Sequence, residues 1–554
     1  MAAISLAQLD DEPYPCRSGT TRASCDPCTA LSVVENRIRQ TVFDLQALLD
    51  KHQSMKTDLH REDDSITRKL PPEIISHIFL HCRPNDIQNH LKKADRGRDF
   101  FVPMKLGAVS RTWRQIAWST PRLWAQLVIS PRGLKIDLNT EHELVKQWIA
   151  RSRTVPLSIY LGITEIGYYG YQEDDGGPPR RYRPLLDTIA QCSEQWQDIY
   201  LNVPSQFLVY LLEKPTVIPN IRVLDLRSST SSYKAPTLFR NAFPGPRCIS
   251  LQGLNLNQVN INWSTVTQFN MAILNVDKCI DLMRLAPVLQ SCTFSDMTNY
   301  DCIPPYSSPI LTLPNLKYLN MKAFSTYPPS VFLSAVSLPN LTQLTLSTTF
   351  KKYTSYSSFA TVLERSAPTL TDLRLIGPAL RFGFGTLRAI LQATPSVTHL
   401  VLGEHPCDRD DNEEIDDNGK IWLLDKQSLT LDPFFQHIAD TSSSAAADAA
   451  SSQLLPNLKS VELSVNFAFK WSELVYDIFG RDPLVCNTRP RRRQLESLKI
   501  KDRCSKSGPS IDTQYIPRSI LSRVLDLRAQ GFEIVYTHQG GEDIISASRD
   551  FHGV

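Results

Sequence analysis

One short pattern recurs between residues 219 and 463 and constrains the fold of this chain more than any other feature. A proline is followed by a small or polar residue and then by apolar residues at the third, sixth and usually eighth positions. The clear copies start at Pro219, Pro314, Pro339 and Pro456, and close variants start at Pro368 and Pro395. Alternating apolar residues predict a short strand with one buried face, and helical stretches at 359–365 and 387–392 precede two of the prolines. We therefore predict a strand-and-helix solenoid, in which each unit buries its apolar face against its neighbours.

The repeat is similar to a leucine-rich repeat. Most of the spacings from Pro314 to Pro395 are 20 to 30 residues, which is the range of that repeat class. Weaker copies are predicted at 196–201, 243–251, 288–294 and 495–500. The region 140–540 is therefore expected to be a leucine-rich-repeat-like domain of α/β repeat class; the alternative is a mixed α/β sheet in which the spacing is a coincidence.

Two segments break the period of the repeat and are predicted to be inserted loops. The first lies near 167–183 and is rich in Gly, Pro and acidic residues. The second lies near 404–452 and contains an acidic run, 408–417, and a Ser/Ala-rich run, 441–452. Neither composition can bury a core, so both are expected to be solvated.

The segment ahead of the repeat begins with an expected disordered lead-in, 1–30, and a predicted helix, 31–60. Apolar residues occupy heptad a and d positions at Leu31, Val34, Ile38, Leu45, Leu48, Met55 and Leu59, with interruptions at Thr41 and His52. This pattern predicts either self-association as a short coiled coil or a helix laid on its own domain.

Three short helices are predicted between residues 66 and 130. Prolines at Pro71 and Pro72 suit a first helical turn, whose N–H groups have no partner, and Glu73 suits the positive end of the helix dipole. Val109, Trp113 and Ile116 recur at helical spacing in a second helix. Thr120 and Pro121 are expected to begin a third helix, carrying Leu123, Trp124 and Leu127.

This segment resembles the F-box, through an LPPEI start at 70–74, a VSRTWR core at 109–114 and a TPRLW finish at 120–124. With the heptad helix and the long repeat, the chain is similar to the large fungal F-box families. The resemblance implies docking to a Skp-type adaptor, which tethers a cullin scaffold. The implied adaptor-binding residues are Leu70, Pro71, Pro72, Ile74, Ile75, Ile78, Val109, Trp113, Leu123 and Trp124. About twenty polar residues, 83–103, lengthen the connection between the first two helices.

No constellation in the sequence predicts catalysis. Phosphate-cradling glycine loops and a GxSxG motif are absent, and His142-Glu143 has Lys146 where a second zinc-binding histidine would stand. Asp408, Asp410 and Asn412 imitate the start of a calcium loop, but the glycine and the final acid are missing. We expect no enzyme activity, no cofactor and no metal site. Cys16, Cys25 and Cys28 leave two alternatives, a shared zinc ion or an ordinary flexible tail.

Charge and composition narrow the classes of partner that the chain is expected to bind. Lys plus Arg number 60 against 57 Asp plus Glu, which leaves little net field for nucleic acid. The cluster Arg489–Arg493 is a nuclear signal, a phosphate-reading patch or a solvated loop. The first twelve residues lack the features of a secretory signal, and long apolar runs are absent, so an intracellular location is expected, cytoplasmic and/or nuclear, with no membrane partner.

The outward positions of the predicted strands are polar and of mixed charge, which suits a protein target. They are Arg222, Asp225, Lys317, Asn320, Thr342, Thr345, Asp372, Arg374, His399, Lys459 and Glu462. The expected function is that of a substrate-recruiting adaptor of a Skp–cullin–F-box ubiquitin ligase. Two alternatives have the same sequence signature: a leucine-rich-repeat scaffold without a role in ubiquitylation, and a repeat protein that binds nucleic acid or phosphate.

Overall fold

The fold is taken from a computed structural model, which describes residues 26–63, 69–84, 101–129, 138–163, 177–215, 217–218, 221–228, 237–274, 276–297, 310–323, 329–348, 360, 363–365, 369–376, 384–403, 414–415, 421–422, 454–465, 495–502, 515–537, 541 and 543–554. Cys16, Cys25, the lead-in up to residue 25, most of both predicted insertions and Arg489–Arg493 lie outside these residues. The chain divides into two compact units, Met1–Asn85 with Phe101–Leu123, and Asp86–Phe100 with Trp124–Val554.

The described residues of the first unit form four α-helices, α1 Asp26–Asp63, α2 Pro72–His81, α3 Val102–Val109 and α4 Arg111–Ser119. Helix α1 is continuous over 38 residues. Its heptad residues Leu31, Val34, Ile38, Leu45, Leu48 and Met55 are 44–63% exposed. The described chain therefore does not cover the apolar stripe of α1, as it would if the helix lay on its own domain.

The second predicted helix of this unit is divided into α3 and α4 at Ser110. Ser110 has extended backbone angles, and its Oγ accepts a hydrogen bond from the Trp113 N–H at 3.1 Å, which caps α4. The third predicted helix is shorter than expected. A 3-10 turn, Pro121–Trp124, ends before Leu127, which belongs to a strand.

The second unit is built on a 14-stranded, all-parallel sheet whose strands lie in chain order. Its strands are β1 Gln126–Ile129, β2 Leu157–Gly162, β3 Trp196–Asn202, β4 Val223–Arg227, β5 Cys248–Gln252, β6 Gln268–Leu274, β7 Ser291–Met297, β9 Tyr318–Ala323, β11 Gln343–Thr348, β12 Asp372–Ile376, β13 His399–Gly403, β16 Ser460–Val465, β17 Ser497–Asp502 and β18 Glu533–Thr537. Two small sheets pair β8 Leu311–Thr312 with β10 Val336–Ser337, and β14 Glu414–Ile415 with β15 Ile421–Trp422. Each clear repeat copy supplies one strand of the large sheet.

Helices and short turns connect successive strands. The helices are α5 Leu138–Ser152, α6 Arg183–Gln191, α7 Ser205–Leu212, α8 Val276–Leu285, α9 Pro329–Ser334, α10 Phe384–Gln392, α11 Arg518–Ala529 and α12 Ile544–His552. Leu387, Ile390 and Leu391 of α10 are at most 5% exposed, so the helix turns its apolar side to the core. The strand-and-helix solenoid predicted from the repeat is the fold observed, and the predicted fold class is confirmed.

The core lies against one face of the sheet, where the kernel leucines form continuous rows. Leu344, Leu373 and Leu400 occupy the same register on neighbouring strands, and each is at most 1% exposed. A second row, two residues further on, includes Leu375 and Leu402. Alternation of buried and outward side chains follows from the pleat of a strand, and it leaves the opposite face of the sheet, the strand face, to the polar residues.

The Asn of the Pro-Asn-Leu pattern joins one repeat to the next. Asn315 Nδ2 donates to the Pro287 carbonyl at 3.1 Å, and Asn340 Nδ2 donates to the Pro314 carbonyl at 2.8 Å. Asn457 makes the same contact to Pro395 at 3.3 Å. These amides occupy backbone acceptors at the turns, where no strand partner can reach.

Candidate docking surfaces

The LPPE sequence begins α2 as the first-turn argument predicts. Pro71 is the N-cap residue, and its carbonyl accepts the backbone N–H groups of Ile74 and Ile75 at 3.0 and 3.2 Å. Ile75 and Phe79 are 1% exposed and fix the inner side of the helix. Ile74 and Ile78, one turn apart, are 49% and 45% exposed on its outer side.

The VSRTWR sequence braces the junction between α3 and α4. Beside the Ser110 cap, Arg114 Nε donates to the Gly107 carbonyl at 2.8 Å across the junction. The Trp113 ring packs on Phe79 with centroids 4.9 Å apart. Trp113 Nε1 is buried and has no hydrogen-bond partner among the described residues. These residues therefore hold the helices together.

The predicted adaptor-binding residues separate into an accessible and a buried set. Pro71, Pro72, Ile74, Ile78 and Val109 are exposed, and Leu70 and Trp113 are half-buried. Ile75 and Leu123 are buried at 1% exposure, so in this fold they support the module and do not face a partner. We call Pro71, Ile74, Ile78 and Val109 the helical face.

Trp124 belongs to the second unit. It is 0% exposed, and its ring lies edge-on to Trp148 with centroids 4.8 Å apart. Its carbonyl accepts a hydrogen bond from Trp148 Nε1 at 2.7 Å, and the Arg151 guanidinium lies 4.7 Å from its ring centroid. Trp124 is therefore a core residue beside β1, and its predicted role in adaptor binding does not fit this placement.

The first strands of the strand face carry ion pairs. Arg222 donates to both oxygens of Asp198 at 2.9 and 2.7 Å, and Asp198 also accepts the Ser158 hydroxyl at 2.8 Å. Arg227 likewise donates to both carboxylate oxygens of Asp225 at 2.9 and 2.8 Å. Hydrogen bonding to the aspartates raises the pKa of both arginines. Asp225, predicted to contact a target, is only 2% exposed because Arg227 covers it.

The last strands of this face are paired in the same way. Arg374 donates to Asp372 on its own strand at 2.9 and 3.1 Å. Further pairs join Lys459 to Glu496 at 3.1 Å, Lys501 to Glu462 at 2.5 Å and Lys499 to Glu533 at 2.9 Å. Hydrogen bonds from Lys499 and Ser497 lower the pKa of Glu533. The mixed charge predicted for this face is therefore largely neutralised within the chain.

The remaining predicted target residues take little part in the ion pairs of the strand face. Lys317 and His399 are exposed, Thr345 is half-buried, and Lys317 makes no ion pair with a described residue. The Thr342 hydroxyl donates to the Lys317 carbonyl at 3.0 Å, so it serves the junction between repeats. Asn320 Oδ1 is buried and accepts no hydrogen bond from the described part of the chain.

Between the two charged ends lies a neutral patch, formed by the outward side chains of β5, β6, β7, β9 and β11. Register places Ser250, Asn270, Thr293, Asn320 and Thr345 in one row across these strands. Gln252, Gln268 and Tyr318 flank that row, and Lys322 is the only charged outward residue on the described parts of these strands. Amides and hydroxyls offer both hydrogen-bond donors and acceptors, so the patch suits a polar, uncharged surface.

Two exposed side chains of the first unit were not predicted as functional candidates from the sequence. Met104 on α3 and Trp118 on α4 are 38% and 40% exposed, and Met104 shares its helix with Val109 of the helical face. Arg114 lies 5.6 Å from the Trp118 ring centroid. The spacing of Trp118 from Arg114, one helical turn, was a usable signal.

The described residues place no three His, Cys, Asp or Glu side chains where they could hold a metal ion together. Among those same ranges, no helix is both long enough and apolar enough to cross a membrane. Burial raises the pKa of the Cys192 thiol to about 11, and burial also raises the pKa of Cys279 and Cys292. These three cysteines are small core residues.

A small helical module followed by a long parallel repeat sheet defines a two-module class of protein. Within that class, a family model described as F-box-like matches residues 67–130. The chain therefore contains an F-box-like domain followed by a leucine-rich-repeat-like sheet, as the sequence indicated. No curated protein sequence matches the chain.

A solved structure with similarity to the chain is the leucine-rich repeat-containing protein LegL7 from Legionella pneumophila. The two are 16% identical, the match covers 56% of this chain and 91% of that one, and the TM-score is 0.27. The repeat assignment rests on the parallel sheet and its recurring leucine rows.

Proposed function

We propose that this chain is a substrate-recruiting subunit of a Skp–cullin–F-box type ubiquitin ligase. The F-box-like domain binds a Skp-type adaptor, and through it a cullin scaffold, while the strand face holds a protein target. Ubiquitin transfer is then promoted by proximity, because a target held near the transferring machinery reacts as in an intramolecular step. The chain itself supplies binding at both ends and no catalytic group.

The observation that carries the proposal is the exposed isoleucine pair on the F-box-like domain. Ile74 and Ile78 leave about half of each side chain in solvent, although the opposite side of the same helix is buried. Fully burying one such side chain from water contributes about 1.5–3 kcal/mol, so burying the exposed halves of both isoleucines contributes about the same amount in total and makes the pair an anchor for a helical partner. Pro71 and Val109 are further accessible apolar residues of this domain.

The proposed target site is centred on the neutral patch, with Lys317 at its edge. Charges on either side are already paired, so a target gains little from them unless it displaces an internal partner. The amides and hydroxyls of the patch can bond to a polar target, and Tyr318, 48% exposed, supplies an aromatic anchor. The repeat pattern alone predicts that the kernels between residues 316 and 402 lie nearest the centre of the target site, and we propose a centre closer to the neighbouring strands β6 and β7.

Adaptor binding is tested by co-purification with a Skp-type adaptor. The double variant I74A/I78A, and equally P71A/I74A, should lose the adaptor while keeping the far-ultraviolet circular dichroism of the parent. A matched control is V217A/F243A, which removes two apolar side chains that are 52% and 63% exposed on the second unit. Equal adaptor recovery from all these variants would refute the F-box function.

Target binding is tested by comparing ubiquitylated proteins in cells that carry the parent chain or a variant. N270R/T293R places two bulky cations in the neutral patch and should abolish ubiquitylation and turnover of the target, with adaptor binding retained. V535R is the control, because Val535 stands in the same outward row on the last strand. If turnover of the target persists in N270R/T293R, the target binds elsewhere on the chain. If the set of ubiquitylated proteins does not depend on the parent chain although the adaptor complex is intact, a scaffold without a role in ubiquitylation is favoured.

The charged residues of the strand face need a separate test. K317E should weaken target capture modestly, because Lys317 is exposed at the edge of the patch. The exchange D372R/R374D keeps an ion pair on β12 but reverses the positions of the two charges. A loss of target capture in this variant would therefore come from the changed charge pattern and not from reduced stability. Capture that depends on Arg489–Arg493 instead of these positions would favour the phosphate-binding alternative.

A further inference from the structure

Helix α1 presents an apolar stripe that the described chain leaves in solvent. Leu45 and Leu48 at its centre are 48% and 62% exposed, and Ile38 and Met55 towards its ends are 44% and 63% exposed. A 38-residue helix is about 57 Å long, which is ample for a two-stranded coiled coil. The heptad pattern left self-association and packing on the chain's own domain as alternatives, and the charges beside the stripe specify the geometry of self-association.

We propose that α1 pairs with α1 of a second copy of this chain as an antiparallel coiled coil, centred between Leu45 and Leu48. In this register Leu45 of each copy meets Leu48 of the other, and Ile38 meets Met55. The two polar interruptions, Thr41 and His52, then face each other. Between Val34 and Leu59, apolar core residues pack on apolar ones, and no core position in that span has to bury a polar group against a leucine.

The flanking charges favour this register. In an antiparallel pair, g positions face g positions and e positions face e positions. Arg37, Asp44, Lys51 and Asp58 occupy the g positions and alternate in sign. Arg37 therefore meets Asp58, Asp44 meets Lys51, and on the other flank Glu35 meets Lys56. Because the pair is two-fold symmetric, each of these attractions occurs twice.

Competing arrangements are less favourable. In a parallel pair, g positions face the e positions of the following heptad, which sets Lys51 against Lys56 and leaves Arg37 and Asp44 opposite Val42 and Leu49. A slip of one heptad in the antiparallel pair sets Asp44 against Asp44 or Lys51 against Lys51. Like charges at these positions repel, so complementarity selects the centred antiparallel register.

The orientation determines where the rest of each copy goes. The end of α1 at Asp63 lies opposite the residues near Ala30 of the second copy, so the two Asp63 ends are about 50 Å apart along the axis. Each chain therefore continues away from the other at opposite ends of the paired helices. This inference is independent of the proposed ligase function.

The first experiment measures the mass of the full-length chain by sedimentation equilibrium over a concentration series. The parent chain should be a dimer, and L45E/L48E should be a monomer with unchanged helical circular dichroism. A parent chain that is monomeric at about 100 µM would overturn the proposal. So would a dimer that L45E/L48E does not dissociate, because the contact would then lie elsewhere.

The second experiment distinguishes the orientations by the sign of one substitution. K51E sets a new carboxylate against Asp44 in the antiparallel pair, and dimerisation should weaken by about tenfold, since two pairs change from attraction to repulsion. In a parallel pair the same substitution would replace the repulsion of Lys51 by Lys56 with an attraction. Tighter dimerisation of K51E would therefore overturn the antiparallel register.

A charge exchange and a matched control complete the test. D44K/K51D restores opposite charges across the antiparallel pair and should recover parental affinity. S54E adds a negative charge at an outward c position and should change affinity by less than about twofold. Failure of D44K/K51D to recover affinity, with helical content intact, would contradict the proposed contact between residues 44 and 51.

Discussion

Two aspartates on the strand face show how strongly neighbours decide the role of a residue. Asp225 and Asp372 were both predicted to face a target, and both instead accept two hydrogen bonds from an arginine on the same strand. Their burial differs, because the Asp225 side chain is 3% exposed and the Asp372 side chain 22%. The same pair of residues therefore carries a different energetic weight at the two positions.

We predict that D225N lowers the free energy of unfolding by about 1–3 kcal/mol, because it removes a buried charged acceptor from Arg227. D372N, the matched control, should cost less than about 1 kcal/mol, because its ion pair is more exposed and better screened. Urea denaturation of both variants measures the difference. Equal losses would mean that burial of Asp225 does not decide the strength of the pair.

The described cysteines should differ in reactivity. Burial raises the pKa of Cys192 to about 11 and that of Cys279 and Cys292 further above the ordinary range, so these thiols are neutral and shielded at pH 7–8. Cys82 is exposed. Pulse alkylation of the native chain followed by peptide mass spectrometry should label Cys82 within minutes and spare the other three until the chain is unfolded. Early labelling of Cys279 or Cys292 would contradict their burial.

At residue scale, the sequence predicted the inward leucines well and the outward charges poorly. Alternation along one strand is a local property, so Leu344, Leu373 and Leu400 could be assigned to the core from the pattern alone. The pairing of Arg222 with Asp198 depends on the residues that end up beside each other on neighbouring strands. The spacing of residues in the sequence does not show which residues lie opposite each other on neighbouring strands.

At the scale of elements, the turn between repeats explains why Pro and Asn recur together. Proline has no N–H group, and its carbonyl is left for the asparagine of the following repeat to bond. The sequence showed the recurrence of this dipeptide but gave no partner for the asparagine, because the partner lies one repeat away.

N340A should lower the free energy of unfolding by about 1 kcal/mol, the usual contribution of one hydrogen bond to a backbone acceptor. N270A is the control, because Asn270 is exposed on the strand face and its amide has no such partner among the described contacts. Thermal unfolding followed by circular dichroism should separate the two variants. A stability of N340A equal to that of N270A would show that the contact between repeats contributes nothing.

The helical elements illustrate a second limit of periodicity. Apolar spacing continues from Leu106 through Val109 to Trp113 and Ile116, and this continuity predicted a single helix. The backbone breaks at Ser110 because its side chain competes for the N–H of Trp113 and begins a new helix. Ser110 is a good capping residue, so a rule that weighs caps against periodicity would have found the break.

At the scale of the whole molecule, the sheet passes over the long insertion without a gap. Strand β13 pairs directly with β16, although 56 residues of chain separate Gly403 from Ser460, and β14 and β15 form a separate hairpin. The sheet also contains strands that the proline pattern did not reveal, β1, β2, β6 and β18. Those strands lack the full pattern of a proline with apolar residues at the third, sixth and eighth positions, so only neighbours on the sheet identify them.

Deletion of residues 441–452 should therefore leave the melting midpoint within about 2–3 °C of the parent, because it removes none of the described strands and loop length changes closure entropy only slowly. Differential scanning fluorimetry measures the shift. A control deletion of residues 460–465, which make up β16, should abolish soluble expression. Collapse of the 441–452 deletion would show that this segment packs against the repeats.

The central claim is that the F-box-like domain docks a Skp-type adaptor through the exposed isoleucines of α2. Isothermal titration of the purified full chain with a purified Skp-type adaptor tests it most directly. We predict one adaptor per chain, and an affinity at least about tenfold weaker for I74A/I78A, since the apolar area that both isoleucines bury against the adaptor would be lost. An absence of binding by the parent chain at tens of micromolar, or equal affinity of I74A/I78A and the parent, would contradict the claim.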